Sequence, residues 1–500
     1  MKINQKPKTN KTIFTATLAV LLACIVPVIL MPEESQSTLT IVKIFIEDNF
    51  GNLYQILAML VLFFVLWLAF SKYGKITLGN NDYNFSTYSW ASMLFCAGVA
   101  TGVIYWGTIE WAYYIDSPPL GITPNSTEAV EFSASYGMFH WGVIGWAFYC
   151  LPAVALSYVY YIKKSPTLRI SKACSRVLGK YADGVLGNII DVLFMIGLLG
   201  STGTSMGLGV PMITAGISSI FEIPDTFGLK LIVIFCCTVV FAISVYLGLG
   251  KGIKRLSNIN TSLAFVFLAF VLLIGPTVFI IKMSVNSVGI ISQNFIRMLT
   301  WTEPLANTRF VEDWTIFYWA WWIAVGPFMG VFITKISGGR TIKQVILGTI
   351  FFGSIGCALF YGILGNYALN MQLTGELDLL EMVRNGNTSK AIIAAIASLG
   401  PSKLILIVFC VMSVIFVATS FDSTSYALAS CTTKEVESHK DPARWQRLFW
   451  AVVLILLPIV LMYIGGLESL KIAVLISALP LVIVYVLMGF SLFKNLKEHQ

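Results

Sequence analysis

The sequence predicts an all-α integral membrane protein with twelve transmembrane helices. Three observations lead there. Of its 500 residues 57% are hydrophobic and only 12% charged, more apolar surface than a water-soluble chain of this size can bury. Twelve apolar runs are long enough to cross a bilayer, centred near residues 22, 61, 101, 149, 200, 239, 272, 325, 355, 416, 456 and 482. The basic residues also alternate from loop to loop. If the N-terminus lies inside, 24 of the 33 Lys and Arg fall on the inner side, including Lys72, Lys75, the run from Lys163 to Lys180, Lys335, Arg340 and Lys343. Most acids lie opposite, which predicts an even helix count with both termini cytoplasmic. The net charge of +8 therefore implies no nucleic-acid partner.

Along the chain, residues 1–86 are expected to hold a tail and two peripheral helices. The first apolar stretch, about 13–31, is taken as a span rather than a signal peptide. Residues 87–285 and 314–494 each divide into five spans. The first unit enters the membrane from the inner side, the second from the outer side. Each opens on a helix with a weak point, Cys96 to Gly102 in one and Val325 to Gly330 (VGPFMG) in the other. Inverted five-helix repeats led by broken helices characterise secondary transporters with a mid-membrane site. The same glycines would equally serve close helix packing. Between the units, residues 286–313 form an outer loop, where 284–298 has helical spacing but is too short to span. A short tail, 495–500, follows.

The densest aromatic segment is Asp313 to Trp322 (DWTIFYWAWW), with four tryptophans in nine positions. Indole faces attract desolvated cations, so it is a candidate organic-cation site, with an interfacial aromatic belt as the alternative. In the fourth span Trp141, Trp146 and Tyr149 fall within an arc of roughly 140°. They can form part of a cage or pack against neighbouring helices. Trp321, Val325 and Phe328 share a face if the helix is not rotated at its break, and Tyr113 could close a cage from above.

Three acids fall within spans: Asp422, Glu110 and Asp191. A charge at mid-membrane costs at least ~2.5–3.5 kcal/mol, so it is expected to be paired or functional. Around Asp422 the hydroxyls of Thr419 and Ser420, with carbonyls near Ala97 and Val99, would suit a small hard cation, unless they bond back to their own helix. Thr204 is a further ion-site candidate. Three histidines and nine scattered cysteines offer no metal cluster, and there is no Walker loop. No cofactor and no enzymatic chemistry are expected.

The chain resembles the betaine/carnitine/choline transporter family, through Asp313 to Trp322, Lys335 to Lys343 (KISGGRTIK), His140 to Tyr149 (HWGVIGWAFY) and Tyr105 to Tyr114 (YWGTIEWAYY). The resemblance implies a ten-helix inverted-repeat core like that of neurotransmitter:sodium symporters, and a homotrimer. It implies an aromatic box of Trp141, Trp146, Tyr149 and Trp322. In carnitine exchangers the substrate rests on positions matching Tyr113, Trp141 and Trp321. Val325 departs from the aromatic that those relatives carry. The stretch Gly98 to Gly102 holds no acid, which favours a zwitterion over choline. Thr419-Ser420 matches the sodium-site pair of the symporters, and Asn260 replaces the exchangers' arginine. Met329 and the segment from Asp116 to Ser126 point to exchange instead. The expected function is sodium-coupled uptake of a betaine-type quaternary ammonium compound across the cell membrane. Sodium-independent substrate/product exchange and choline uptake are the alternatives, and a sensor or channel-like protein is the competing class.

Overall fold

The computed structural model describes residues 9–80, 83–99, 101–305, 308–434, 441–464 and 466–498. Lys2, Lys6, Lys8, Ala100, Lys440, His439 and His499 lie outside the described residues. Helices account for the architecture, and the only β pairing among the described residues is two isolated bridges.

The helices that frame the site run in chain order as follows. The first half comprises α1 (Lys11–Leu30), α2 (Pro32–Phe70), α3 (Thr87–Val99), α4 (Gly102–Asp116), α5 (Thr127–His140), α6 (Val143–Ser157), α7 (Val185–Phe221), α8 (Phe227–Leu247) and α9 (Lys254–Ile274). Then come α10 (Thr277–Thr300), α11 (Phe317–Ile336), α12 (Ile342–Phe360), α13 (Asn366–Thr374), α14 (Leu379–Arg384), α15 (Thr388–Ala397), α16 (Ser402–Cys431), α17 (Arg444–Ile464) and α18 (Gly466–Lys497). Local chemistry sets many of their ends. Asn10, Ser126 and Thr226 cap α1, α5 and α8 through their side-chain oxygens. Thr341 and Gln344 form a reciprocal capping box on α12, and Gly248, at φ +84°, terminates α8.

Among the described residues ten helices are long and apolar enough to cross a membrane, and the bent pair α3–α4 makes eleven. The remaining expected span, centred at 456, falls on α17, 21 residues long, about 30 Å at 1.5 Å per residue. Eleven of the twelve expected centres thus lie on a helix, and the twelfth, 101, falls at the bend between α3 and α4. The outer stretch 284–298 is helical too, but its helix is longer, 24 residues from Thr277. Burial orders the bundle. In α1 only Ile13, Thr17, Leu21 and Ile25 are buried, whereas α11 is buried along its whole length. A helix apolar on all sides belongs at the centre, and α11 packs there between α6, α7 and α18.

The basic loops gather at one end. Thr9 bridges to Thr433 and Thr77 to Thr341, while Arg176 pairs with Glu498. At the opposite end Arg309 pairs with Glu47 and Arg384 with Asp116.

Of the two expected helix breaks, one is present. α3 and α4 meet at 58° across the glycine-rich stretch. The second is corrected: α11 runs unbroken through Gly326-Pro327. Its glycines serve packing instead. A Cβ on Gly326 would stand 1.6 Å from the Tyr485 hydroxyl, and one on Gly330 would stand 2.5 Å from Pro152. Close approach of the neighbouring helices excludes any side chain there.

Candidate functional site

The site forms where α11 crosses the α3–α4 bend and the start of α6. Five of the expected rings converge there. Trp141 lies 5.5 Å from Trp321 and 5.8 Å from Trp322, centroid to centroid. Trp322 lies 4.9 Å from Tyr149 and 5.8 Å from Trp146, and Trp146 and Tyr149 are 5.4 Å apart. All five are buried, which excludes an interfacial belt as their arrangement.

Backbone geometry makes this cluster possible. A Cβ on Gly98 would approach Trp146 to 2.7 Å, on Gly102 Trp141 to 2.8 Å, and on Gly145 Trp322 to 2.3 Å. Only hydrogen at these positions lets the rings meet the bent helix pair. Polar tips orient the rings. Tyr149 donates to the Gly98 carbonyl at 2.8 Å, Trp321 to the Thr204 hydroxyl at 3.0 Å, and Trp322 to the His140 carbonyl at 3.1 Å. The indole N–H groups of Trp141 and Trp146 are buried and meet no acceptor among the described residues.

Between Trp141, Trp321, Gly102 and Thr204 lies a cavity of about 10 Å³, room for about one water molecule. The rings fill one another's space in this conformation, so a trimethylammonium group enters only when some of them part.

Not every expected residue joins. Tyr113 stands in an outer cluster with Trp106 and Trp314, at 5.9 and 5.4 Å, and its hydroxyl meets Thr388 at 2.8 Å. Phe328 stacks on Phe332 at 6.3 Å, further along α11. Val325 is buried on that helix and takes no part in the ring contacts. The outer cluster borders a cavity of about 340 Å³ holding Lys43, Glu47, Asp313, Glu468 and Lys471. Lys471 rests on Trp314 at 5.1 Å and Phe317 at 5.3 Å. Sequence reading missed Lys471 because it lies more than 150 residues from these rings.

At the expected ion-site positions one bond links α3 and α16. Ser420 on α16 donates to the Cys96 carbonyl at 3.2 Å, joining α16 to the end of α3. It also bonds back to Phe416, as Thr419 does at 3.0 Å. Ala97 is buried, and Val99 is the last residue of α3. Thr204 donates to the Ser201 carbonyl and accepts from Trp321. The Thr419 and Ser420 hydroxyls thus both bond back within their own helix, and Ser420 alone also reaches α3, at Cys96. No cluster of three His, Cys, Asp or Glu side chains occurs among the described residues.

Each intramembrane acid has partners. Asp191 pairs with Arg169 at 2.6 Å and accepts from Ser171, and Asp422 accepts from Ser244 at 2.5 Å and from Ser423 at 3.2 Å. Glu110 accepts from Tyr114 and Tyr361. At the outer end Asp116 binds Arg384 through two bonds, 2.6 and 2.8 Å. These bonds and the carboxylate charge push the guanidinium pKa upward.

The family model described as "BCCT, betaine/carnitine/choline family transporter" matches residues 12–500. The "Uncharacterized transporter YeaV" of Escherichia coli (strain K12) is 34% identical over 443 residues, covering 88% of this chain and 92% of that one. A "Carnitine transporter" of Acinetobacter baumannii is 32% identical over 492 residues, covering 98% and 90%. A solved Na+-coupled sialic acid symporter, substrate-bound and outward-open, is 12% identical with a TM-score of 0.42, covering 88% of this chain and 86% of its own. The chain belongs to the betaine/carnitine/choline transporter family.

Proposed function

We propose that the protein is a secondary active carrier for a betaine-type zwitterion, coupled to sodium, working by alternating access between two inverted five-helix units. The carrying observation is the convergence of Trp141, Trp146, Tyr149, Trp321 and Trp322 on one buried point beside Gly98 and Gly102. Each ring around a desolvated trimethylammonium contributes on the order of 0.5–2 kcal/mol, and the indole N–H groups of Trp141 and Trp146 are available to a carboxylate or its water. The name of the A. baumannii relative supports carnitine, beside glycine betaine, among the substrate candidates. Thr419 and Ser420 are the proposed sodium ligands, completed by carbonyls of Ala97 and Val99, with Thr204 at a second site; the Ser420 bond to Cys96 on α3 supports this assignment. Sodium entry supplies about 2.3 kcal/mol per 100 mV before any concentration gradient. The protein is proposed to act as a homotrimer in the cell membrane, with the basic end cytoplasmic.

Substrate exchange is the second reading. It is favoured by the hydroxyls of Thr204, Thr419 and Ser420 already being bonded within the protein. Uptake into proteoliposomes, with and without a sodium gradient, separates the two. Sodium-dependent accumulation supports symport. Equal rates with acceleration by internal substrate establish exchange, and flux that does not saturate excludes a carrier. Binding of glycine betaine, carnitine, choline and proline betaine names the substrate.

A further inference from the structure

Glu110 lies in the middle of α4, 1% exposed, outside the aromatic cluster yet connected to it. A π-helical turn, Tyr361–Gly365, follows α12, a local irregularity often found at functional sites. It turns Tyr361 inward so that its ring faces Trp141 at 6.3 Å. Nothing larger than glycine fits behind that ring: a Cβ on Gly137 would stand 2.2 Å from it. The Tyr361 hydroxyl donates to one oxygen of Glu110 and the Tyr114 hydroxyl to the other.

The chain of bonds continues away from the carboxylate with a consistent direction. Because Tyr114 gives its proton to Glu110, its oxygen receives from Nδ1 of His140, 3.2 Å away. That assigns the imidazole proton to Nδ1 and leaves Nε2 to accept from the Thr315 hydroxyl at 3.1 Å. Every dipole from Thr315 through His140 and Tyr114 therefore points its positive end at Glu110, and Tyr361 does so from the other side. Aligned donors of this kind polarise one another and stabilise a negative charge in a low-dielectric interior. The hydrogen-bond partners are phenols rather than a basic side chain, and the Lys471 ammonium acts on the carboxylate only through space, so no ion pair cancels the charge. An intramembrane acid held in this way costs free energy that a structural role does not require.

We propose that ionised Glu110 is the buried countercharge for the substrate's quaternary ammonium, acting through the Tyr361 ring behind Trp141. The rings select for shape and polarisability, and the carboxylate one ring away adds selection for positive charge. Glu110 touches no substrate and is a specificity-determining residue of the cage. The inference rests on the quaternary-ammonium reading of the site.

The test uses glycine betaine and its uncharged-head isostere 3,3-dimethylbutanoate, which differs only by carbon in place of nitrogen. Binding of both is measured on the detergent-purified full-length protein. In the wild type glycine betaine binds more tightly. In Glu110→Gln the ratio of the two dissociation constants falls about tenfold, the scale of a unit charge roughly 10 Å away at an effective dielectric of about 20. Glu110→Asp and Glu110→Asn form a second matched pair, charged and neutral, so loss of one folded variant leaves a comparison standing. A ratio unchanged between charged and neutral variants, with both ligands weakened equally, overturns the proposal and leaves Glu110 a packing residue. A wild type with no preference for the charged head overturns the quaternary-ammonium reading itself.

Discussion

The indole N–H of Trp322 donates to the carbonyl of His140 at 3.1 Å. This bond ties the central helix α11 to the last residue of α5, immediately before Trp141, so two walls of the aromatic cluster are held by one contact. Trp322 also fills the notch at Gly145. Trp322→Ala removes both functions and costs about 3–5 kcal/mol of stability. Trp322→Phe keeps a ring and loses the bond, about 1 kcal/mol. Thermal unfolding in detergent measures the order Ala < Phe < wild type, and reversal of that order shows the bond to be incidental.

Gly98→Ala and Gly102→Ala place methyl groups 2.7 Å from Trp146 and 2.8 Å from Trp141. Displacing either ring opens the cage, and substrate affinity is expected to fall at least about tenfold, one lost ring contact of roughly 1.4 kcal/mol. Isothermal titration of the purified variants decides this. Wild-type affinity in both places the substrate elsewhere.

Gly326→Ala tests packing at the expected second break. The added methyl would lie 1.6 Å from the Tyr485 hydroxyl, which itself donates to Phe148 at 3.0 Å. Overpacking of this kind costs about 1–3 kcal/mol. If the position were a hinge instead, transport would fall while the unfolding temperature stayed put.

Ser420→Ala removes the bond from α16 to the Cys96 carbonyl. For a sodium ligand, the expected result is a sodium half-saturation raised about tenfold or more, the loss of one charge-assisted contact of about 1.5–3 kcal/mol. Substrate affinity at saturating sodium should change little. Sodium titration of uptake reads both numbers, and unaltered sodium dependence favours exchange.

The Asp116–Arg384 pair and the Tyr113–Thr388 bond fasten the outer end of α4 to α14 and α15. The ion pair is partly exposed, so Arg384→Ala should leave stability nearly unchanged. Its effect should lie in access to the outer end. Labelling of a Tyr113→Cys variant by a membrane-impermeant thiol reagent should accelerate when Arg384 is replaced, and an unchanged rate dissociates the pair from opening.

Much of this protein is determined by the order of its residues alone. Apolar runs of bilayer length and alternating basic loops determined where the helices lie, because backbone groups in hydrocarbon must bond within their own segment. Rings at helical spacing on α6 and α11, and glycines at the α3 bend, announced the cluster for the same reason: helical periodicity is a local property. Tertiary structure decided the rest. Gly326-Pro327 has the composition of a break, yet neighbours packed on every side of α11 hold the helix continuous. Glu110, His140 and Tyr361 are separated by up to 251 positions, and only the folding of α4, α5 and the turn after α12 together makes them one network. Lys471 reaches its rings from α18 in the same way. Which polar groups meet inside the bilayer depends on helix–helix packing, a long-range property that spacing along the chain does not encode.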